Sequence, residues 1–296
     1  MSHRLTTSAR RSTAKSLPRW LRKRLVSSSC FSGTAGTLKS LGVTTVCKEA
    51  KCPNINECFS AGTATFMIMG DQCTRHCAFC AVASSDQPSA LDPGEPQRIA
   101  QAVEQMALRY AVVTSVTRDD LPDGGAEHFF QTIRAISDLK PACRVEVLTP
   151  DFAGQKQSVE LVCSALPAVY NHNLETVQRL TPRIRSGADY NRSLQILAWA
   201  GQAHPTIRTK SGLMLGLGET DDEIIQAMQD LRAVGCDLLT IGQYLRPTAD
   251  HMEVVRYVEP KTFEQYEQTA RDLGFLAVAA GPFVRSSYQA GQLNAL

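Results

Sequence analysis

The sequence predicts an α/β fold built on a parallel sheet, and two observations lead to it. Short apolar runs alternate with amphipathic helical patterns from residue 63 to residue 280. Six of these repeats are followed by a closing apolar run, and 296 residues are typical of one α/β barrel rather than of two small domains. The pattern favours a barrel, although alternation alone leaves an open doubly wound sheet as the alternative.

The individual elements follow from the hydrophobic period of each segment. Strands are expected at residues 63–70, 110–116, 144–148, 168–171, 206–216, 237–243 and 275–280. Helices are expected between them, at residues 96–109, 125–139, 155–166, 190–203, 221–234 and 262–273. Residues 117–125 are rich in Asp, Pro and Gly, which predicts a turn and a helix start rather than catalysis.

The bulk composition excludes several classes of protein. It is 43 % hydrophobic and 20 % charged, and no run approaches 18 consecutive apolar residues, so we expect no transmembrane helix. A net charge of +2 gives no support for nucleic-acid binding. The positive charge is concentrated at the N-terminus, where ten Lys or Arg precede the first acidic residue, Glu49. This basic arm has the composition of an organellar transit peptide but lacks the apolar core of a secretory signal.

Six cysteines form two consecutive triplets, and they are the strongest chemical signal in the chain. Tetrahedral structural zinc and ordinary ferredoxin clusters take four protein ligands, and neither triplet supplies a fourth cysteine. Three thiolates on a 4Fe-4S cluster leave one iron open, so the triplets predict two open clusters with distinct tasks. The triplets are Cys47, Cys52 and Cys58, and Cys73, Cys77 and Cys80.

The position of the second triplet supports a catalytic role. It directly follows the first predicted strand, and the C-terminal ends of barrel strands are where chemistry takes place. A zinc site completed by His76 is the alternative for this triplet. Metal-ligand spacing is typical of a reducing compartment, so we expect a cytoplasmic protein. The other cysteines stand singly and are assigned no chemistry: Cys30, Cys143, Cys163 and Cys236.

Three motifs carry a resemblance to a known family. The segment Cys73-Thr-Arg-His-Cys77-Ala-Phe-Cys80 resembles the C-x3-C-x-aromatic-C loop of the radical S-adenosylmethionine (SAM) enzymes. Together with the upstream C-x4-C-x5-C triplet and with Arg285-Ser286-Ser287-Tyr288, it makes the chain closely similar to the lipoyl synthase family. Looser matches extend the resemblance from Trp20 to Tyr288. The chain departs from the family at 289–291, where Gln-Ala-Gly replaces His-Ala-Asp.

The resemblance implies a partial (β/α)6 TIM-like barrel of the radical SAM type with N- and C-terminal extensions. Residues 1–62 are then the basic arm and the auxiliary-cluster segment, 63–282 the barrel, and 283–296 the extension with the Arg-Ser-Ser-Tyr motif. Because the resemblance begins within the arm, we expect a leader on a cytoplasmic enzyme. An address for an organellar matrix or stroma is the alternative.

The resemblance also implies the cofactors, which are two 4Fe-4S clusters and SAM. The Cys73 triplet would hold the cluster that chelates SAM, with Phe79 near the adenine. Further SAM contacts are expected among residues at the C-terminal ends of strands, although any of them could instead cap a helix. These candidates are Ser115, Glu146, Asn173, Glu175, Gln243 and Leu245. The glycines of 210–216 predict a close approach of backbone.

The Cys47 triplet would hold an auxiliary cluster that donates sulfur. By resemblance, Ser286 ligates the fourth iron of this cluster, and Ser287 is its competitor on sequence alone. Arg285 would orient the cluster or meet a radical intermediate, with a surface arginine as the alternative. An electron-relay or structural cluster is the alternative for the whole triplet.

The implied activity is the insertion of two sulfur atoms at carbons six and eight of an octanoyl chain on a lysine of a carrier domain. The implied partners are octanoylated lipoyl carrier domains of 2-oxo acid dehydrogenase complexes or the glycine cleavage system, a ferredoxin or flavodoxin reductant, and an iron-sulfur carrier protein. No nucleic-acid or membrane partner is expected. The alternatives are another radical SAM enzyme, such as a biotin synthase relative or a methylthiotransferase, and a non-enzymatic iron-sulfur carrier.

Overall fold

The computed structural model describes residues 17–23 and 29–294, so most of the basic arm lies outside the described residues. Nine strands are found in this part of the chain, in the order β1 (Thr65–Ile68), β2 (Gln72–Cys73), β3 (Ala83–Ser84), β4 (Tyr110–Ser115), β5 (Arg144–Leu148), β6 (Val169–Asn171), β7 (Arg208–Leu215), β8 (Leu238–Gln243) and β9 (Ala277–Gly281).

Seven of these strands form the central sheet, in the order β1-β4-β5-β6-β7-β8-β9. Every adjacent pair is parallel. A doubly wound sheet would reverse its order at a switch point, whereas this order follows the chain throughout. Within the described residues, β1 and β9 each pair with a single strand of the sheet, so the barrel is open between them. The partial (β/α)6 barrel with a closing strand is therefore confirmed.

The helices surround this sheet and precede or follow its strands. They are α1 (Ser29–Ser40), α2 (Val46–Glu49), α3 (Ile55–Ser60), α4 (Glu95–Gln105), α5 (Ala126–Ser137), α6 (Lys156–Ser164), α7 (Thr181–Ile184), α8 (Tyr190–Ala203), α9 (Asp221–Ala233), α10 (Pro260–Asp272) and α11 (Ala290–Leu293). Short 3-10 turns lie at Arg19–Leu21, Phe152–Gly154 and Gln178–Leu180. No helix among the described residues is long and apolar enough to cross a membrane.

The predicted and observed elements differ mainly at their ends. Helix α8 matches its prediction, and its start is fixed by Asp189, which accepts a hydrogen bond from the amide of Arg192. The helix expected at 96–109 ends at Gln105, because Ala107 takes a positive φ of 51° that no α-helix continues. The strand expected at 63–70 is shorter for the same reason, since Met69 and Gly70 both have positive φ. A positive φ at a single residue does not alter the hydrophobic period of the sequence, so the period alone does not predict where these elements end.

The core consists of the strands and the inner faces of the helices. All four side chains of β1 and all six of β8 are buried, as expected for parallel strands covered on both faces. Strand β1 begins at Thr65 and β9 ends at Gly281, close to the predicted domain boundaries at 62/63 and 282/283. The segments before β1 and after β9 both lie against the mouth of the barrel, where they carry the functional residues.

Candidate active site at the mouth of the barrel

The loop with the second cysteine triplet is fixed to the ends of the neighbouring strands. The amide of Thr74 donates to the carbonyl oxygen of Thr117 at 3.0 Å, just beyond β4. The thiol sulfur of Cys73 accepts hydrogen bonds from the amides of Arg75 and Thr117 at 3.4 and 3.3 Å. These two amides hold the sulfur of Cys73 in a fixed position between the loop and the end of β4.

Charged side chains hold the same loop from the outside. Arg75 forms ion pairs of 2.7 Å with Asp119 and with Asp151, and Arg192 lies 3.1 Å from the other oxygen of Asp151. Burial opposes ionisation of Asp151, but its hydrogen bond with Arg75 holds its pKa below the ordinary value. The loop is therefore held rigidly between the ends of β4 and β5 and helix α8.

The other two cysteines of this triplet, Cys77 and Cys80, are half-buried at the barrel mouth. Burial raises the pKa of Cys77, which the nearby Arg185 opposes and Cys73 reinforces. Burial also raises the pKa of Cys80 to about 12, and the neighbouring thiols Cys77 and Cys73 contribute in the same direction. A metal cation would reverse this preference, because it stabilises the thiolates that the protein alone disfavours.

The first triplet lies outside the barrel, with Cys47 on α2, Cys58 on α3 and Cys52 on the turn between these two short helices. Its three thiols face one cavity of about 560 Å³. Burial raises the pKa of Cys47, and burial with the repulsion of Cys47 and Cys52 raises the pKa of Cys58 to about 12. Three thiols are thus close enough to interact electrostatically, in a cavity with room for a cluster.

The segment after β9 crosses the barrel mouth over two glycines. The carbonyl oxygen of Val284 lies against the position that a Cβ of Gly242 would take, and Ser286 Oγ would lie 3.1 Å from a Cβ of Gly212. Gly216 has a φ of +105° and faces the side chain of Gln243. The prediction that the glycines of 210–216 allow a close approach is confirmed. The sequence did not reveal that the C-terminal extension is what approaches.

Hydrogen bonds fasten this segment to the first triplet. Asn54 donates to the carbonyl oxygen of Phe283 at 2.7 Å, and Thr65 donates to Ser287 Oγ at 2.8 Å. The hydroxyl of Tyr288 donates to Glu57 at 2.5 Å, and Lys23 pairs with the other oxygen of that carboxylate at 2.6 Å. Segments from the N-terminal and C-terminal parts of the chain therefore meet around the first cysteine triplet.

The two serines of the motif have different surroundings. Ser287 lines the 560 Å³ cavity together with all three thiols of the first triplet. Ser286 instead accepts a hydrogen bond from Asn173 Nδ2 at 2.6 Å and lines a second cavity with Cys47 and Cys52. Ligation of the auxiliary cluster by Ser286 stays a prediction, and Ser287 is the better placed of the two for Cys58.

The second cavity, of about 310 Å³, connects the two triplets. Phe79 and Cys80 of the second triplet's loop line one side of it, and Cys47 and Cys52 of the first triplet line another. Predicted site residues at the strand ends and in the C-terminal segment complete the wall. Those predicted residues are Asn173, Glu175, Gln243, Leu245, Arg285 and Ser286. The structure therefore brings most of the predicted site into one chamber.

Opposite charges line this chamber, from Glu175 and Arg285. Burial raises the pKa of Glu175, and Arg185 and a hydrogen bond from Asn173 oppose the shift. Burial lowers the pKa of Arg285, and Cys52 and Glu175 oppose that shift. Arg285 lines both cavities and is half-buried, and its role at the site stays a prediction.

Two predicted SAM contacts, Glu146 and Ser115, do not line this chamber, and a third, Gln243, lines it with its side-chain amide bonded to neighbouring backbone. Both oxygens of Glu146 are occupied, by Lys210 at 2.7 Å and by the hydroxyl of Tyr110 at 2.7 Å, and Glu146 is fully buried away from both cavities. The side-chain amide of Gln243 donates to carbonyl oxygens on both sides and accepts from the amide of Val258, so it ties β8 to the following loop. The buried Oγ of Ser115 lacks a hydrogen-bond partner within the described structure.

Sequence reasoning missed Arg185, Asp151 and Lys210. Each is a charged residue that the structure buries almost completely. Their burial depends on partners far away in sequence, and a charged side chain in a single sequence is by default a solvated one. The run Lys210-Ser211-Gly212 inside an apolar strand was the available signal.

The cysteines are free thiols and fit iron-sulfur clusters by donor type. Within residues 17–23 and 29–294, no three His, Cys, Asp or Glu side chains lie in a closed chelating arrangement. Each triplet nonetheless has its thiols within electrostatic reach of one another. Cluster binding therefore needs small movements of the short segments that carry the thiols.

Comparison with known proteins agrees with this geometry. A family model described as the radical SAM superfamily matches residues 67–231. Among solved structures, methylornithine synthase has a TM-score of 0.53 at 12 % identity, covering 72 % of this chain and 63 % of its own. The hydrogenase maturase HydG has a TM-score of 0.56 at 18 % identity, covering 72 % and 49 %. At such identities these likenesses show the fold.

Two curated relatives are far closer in sequence. Lipoyl synthase of Thermus thermophilus is 53 % identical over 277 residues, which are 93 % of this chain and 86 % of that protein. Lipoyl synthase of Caldanaerobacter subterraneus is 52 % identical over 273 residues, or 92 % and 95 %. With both cysteine triplets and the Arg-Ser-Ser-Tyr segment meeting at the barrel mouth, this chain belongs to the lipoyl synthase family of the radical SAM superfamily.

Proposed function

We propose that this protein inserts two sulfur atoms at carbons six and eight of an octanoyl chain on a lysine of a lipoyl carrier domain. One observation carries the proposal: the 310 Å³ chamber is bounded on one side by the radical SAM loop and on the other by Cys47 and Cys52. A reacting chain held there would face a hydrogen-abstracting centre and a sulfur source at once. Family membership supports the same conclusion.

The wall of this chamber suits an alkyl substrate. Apolar side chains contribute much of it, with a few polar groups at fixed positions, as is usual for small-molecule sites. The apolar contributors include Val46, Phe79, Leu148, Leu213, Met214 and Leu245. An octanoyl chain would be shielded from water by these side chains, and shielding prevents quenching of reactive species.

Membership of the radical SAM superfamily implies a 4Fe-4S cluster and SAM, which together supply the hydrogen-abstracting radical. We propose Cys73, Cys77 and Cys80 as the ligands of this cluster. The nearby Glu175 and Asn173 would hold polar groups of SAM, and Phe79 would pack on its adenine. Asn173 is suited to this role because its Oδ1 is buried without a hydrogen-bond partner in the described structure.

We further propose an auxiliary 4Fe-4S cluster on Cys47, Cys52 and Cys58 as the source of the inserted sulfur. Ser286 would complete its ligands, and a hydroxyl oxygen is a harder and more easily lost ligand than a thiolate. Arg285 lies between the two cavities, where its charge would hold the substrate side of the cluster in place. The radical SAM loop and the auxiliary site thus have separate tasks.

Family membership implies a lipoyl carrier protein as the substrate. We propose that octanoylated carrier domains of 2-oxo acid dehydrogenase complexes or of the glycine cleavage system fill this role. A ferredoxin or flavodoxin would supply electrons, and an iron-sulfur carrier protein would rebuild the consumed auxiliary site. Free thiols throughout the described chain are consistent with a reducing compartment, for which we propose the cytoplasm.

The test is an anaerobic assay. The protein is reconstituted with iron and sulfide, given SAM, a reductant and an octanoyl-lysyl peptide, and the peptide is followed by mass spectrometry. We expect one and then two added sulfurs. Cleavage of SAM with an unmodified peptide would show a different substrate, and no cleavage at all would favour a non-enzymatic iron-sulfur carrier.

A further inference from the structure

An ion pair lies inside the barrel, away from both cavities. Lys210 of β7 and Glu146 of β5 are 2.7 Å apart, and both side chains are 0 % exposed. Tyr110 of β4 donates its hydroxyl to the other carboxylate oxygen at 2.7 Å. Removing two charges from water is costly, and a well-packed apolar pair often stabilises a core as well or better. Stability alone therefore gives no reason for these charges.

A further contact of Lys210 indicates what the ion pair does. The ammonium of Lys210 also donates to the main-chain carbonyl oxygen of Ser286 at 2.6 Å. A charged donor makes this bond stronger than an ordinary hydrogen bond to a carbonyl oxygen. Glu146 binds the same ammonium at 2.7 Å, so Lys210 is held by the carboxylate while it donates to the carbonyl oxygen.

The bonded carbonyl belongs to the peptide unit that joins Ser286 to Ser287. Because a peptide unit is planar, fixing its oxygen also fixes the amide of Ser287 and restricts both neighbouring side chains. Asn173 holds Ser286 Oγ, and Thr65 holds Ser287 Oγ, but each acts on a single hydroxyl. A turn hydrogen bond from the amide of Tyr288 to the carbonyl oxygen of Arg285 spans this peptide unit, and the contact with Lys210 holds the peptide oxygen from the side of the barrel.

We infer that Lys210 is a positioning residue that presents the serine pair 286–287 to the auxiliary cysteine triplet, with Glu146 orienting it. The inference rests on the proposed function, because it concerns the ligands of the auxiliary cluster. It holds whichever of the two hydroxyls binds iron. Residues that orient a metal ligand without touching the metal commonly change metal affinity by about 10- to 100-fold when they are removed.

The test measures iron retention rather than turnover. In a chain with Cys73, Cys77 and Cys80 replaced by Ala, iron can be held only by the auxiliary triplet. The group is then made apolar with Lys210→Met, Glu146→Leu and Tyr110→Phe together, which leaves no buried charge unpaired. We expect this variant to lose auxiliary iron to a chelator about tenfold faster or more, with an altered visible and electron-paramagnetic spectrum.

Tyr110→Phe alone, in the same background, is the matched control. It removes a hydroxyl from the group but leaves the contacts of Lys210 with Glu146 and Ser286, so iron retention should not change. Circular dichroism and thermal unfolding establish that both variants are folded. A folded triple variant that retains iron as firmly as the control would overturn the inference, whatever the peptide assay shows for the proposed function.

Hydrogen exchange covers the case in which the triple variant does not fold. In Lys210→Met alone, amides of residues 283–288 should exchange faster than in the unsubstituted chain, while those of α9 remain protected. Unchanged exchange across 283–288 would contradict the anchoring role. The peptide assay fails separately if the proposed function is wrong, so the two failures can be told apart.

Discussion

The two cysteine triplets occupy regions that are built in opposite ways. The Cys73 triplet lies on one loop directly after β1, and charged residues on the ends of neighbouring strands hold that loop. The Cys47 triplet lies on two short helices and the turn between them, outside the barrel, and a segment more than 200 residues away in sequence lies against it. Asn54 and Phe283, for example, are 229 residues apart and share a 2.7 Å hydrogen bond.

The difference suggests how each site is used. A loop fixed to a rigid barrel suits a cofactor that must return to the same geometry in every cycle. A site assembled from segments outside the sheet can change its geometry while the strands stay in place. That arrangement suits a sulfur donor that has to be dismantled and rebuilt.

The largest expected effect separates the two triplets chemically. Cys77→Ala should abolish both SAM cleavage and thiolation, because the radical SAM loop loses a ligand. Cys52→Ala should leave 5'-deoxyadenosine formation in place and abolish sulfur insertion alone. Both products are measured in one anaerobic reaction by liquid chromatography with mass spectrometry. Loss of SAM cleavage in a folded Cys52→Ala variant would mean that the two regions are not functionally separate.

A large effect is also expected for the serines. Removing a cluster ligand should reduce thiolation by about 100-fold or more, whereas removing a neighbouring hydroxyl should have only a minor effect. Ser286→Ala is expected to show the large loss, and Ser287→Ala serves as its matched control. The reverse order would transfer the ligand role to Ser287, consistent with its place beside all three thiols.

A smaller effect is expected from loosening the radical SAM loop. Asp151→Asn keeps the shape of the side chain but removes the buried charge that faces Arg75 and Arg192. SAM cleavage should fall about tenfold, while iron held by the Cys47 triplet should not change. Iron content is measured in chains that carry one triplet at a time. Equal losses from both triplets would show that Asp151 acts through general stability.

The smallest expected effect is a pH dependence of the free energy of unfolding that arises from His172, the residue after β6. Burial, reinforced by Arg185, lowers the pKa of His172 to about 4, so the unfolded chain takes up the proton first. Stability should therefore fall as pH decreases from about 6.5 to 4, by about 3 kcal/mol in total from this group. Denaturant unfolding of His172→Gln should lack this component. An identical pH profile for the two proteins would contradict the assignment.

Much of the fold could be predicted from sequence because parallel strands covered by helices leave a regular hydrophobic period. Helix α8 was predicted at its observed bounds, whereas α4 was predicted too long because the positive φ of Ala107 has no sequence signature. The six cysteines and the Arg-Ser-Ser-Tyr segment were identified from spacing and resemblance. How they meet was not, since the bonds from Thr65 to Ser287 and from Lys210 to Ser286 join residues more than 70 positions apart.

Glu146 shows most clearly what the sequence alone does not predict. Its place near the end of a strand suggested a contact with SAM, but the next interior residues around the barrel include a lysine and a tyrosine that occupy both its oxygens. Strand position alone does not say whether a polar side chain faces the chamber or the packed interior. The direction of the Glu146 side chain depends on how β4, β5 and β7 are placed around the barrel.

Sulfur isotope labelling tests the central claim most directly, which is that the auxiliary site supplies the sulfur. The protein is reconstituted with iron and heavy-isotope sulfide, freed of unbound sulfide, and allowed one turnover on the octanoyl-lysyl peptide with ordinary sulfide in solution. We predict a product in which both inserted sulfurs carry the label, in an amount that does not exceed one per chain. A product with unlabelled sulfur, formed at the same rate, would contradict the account.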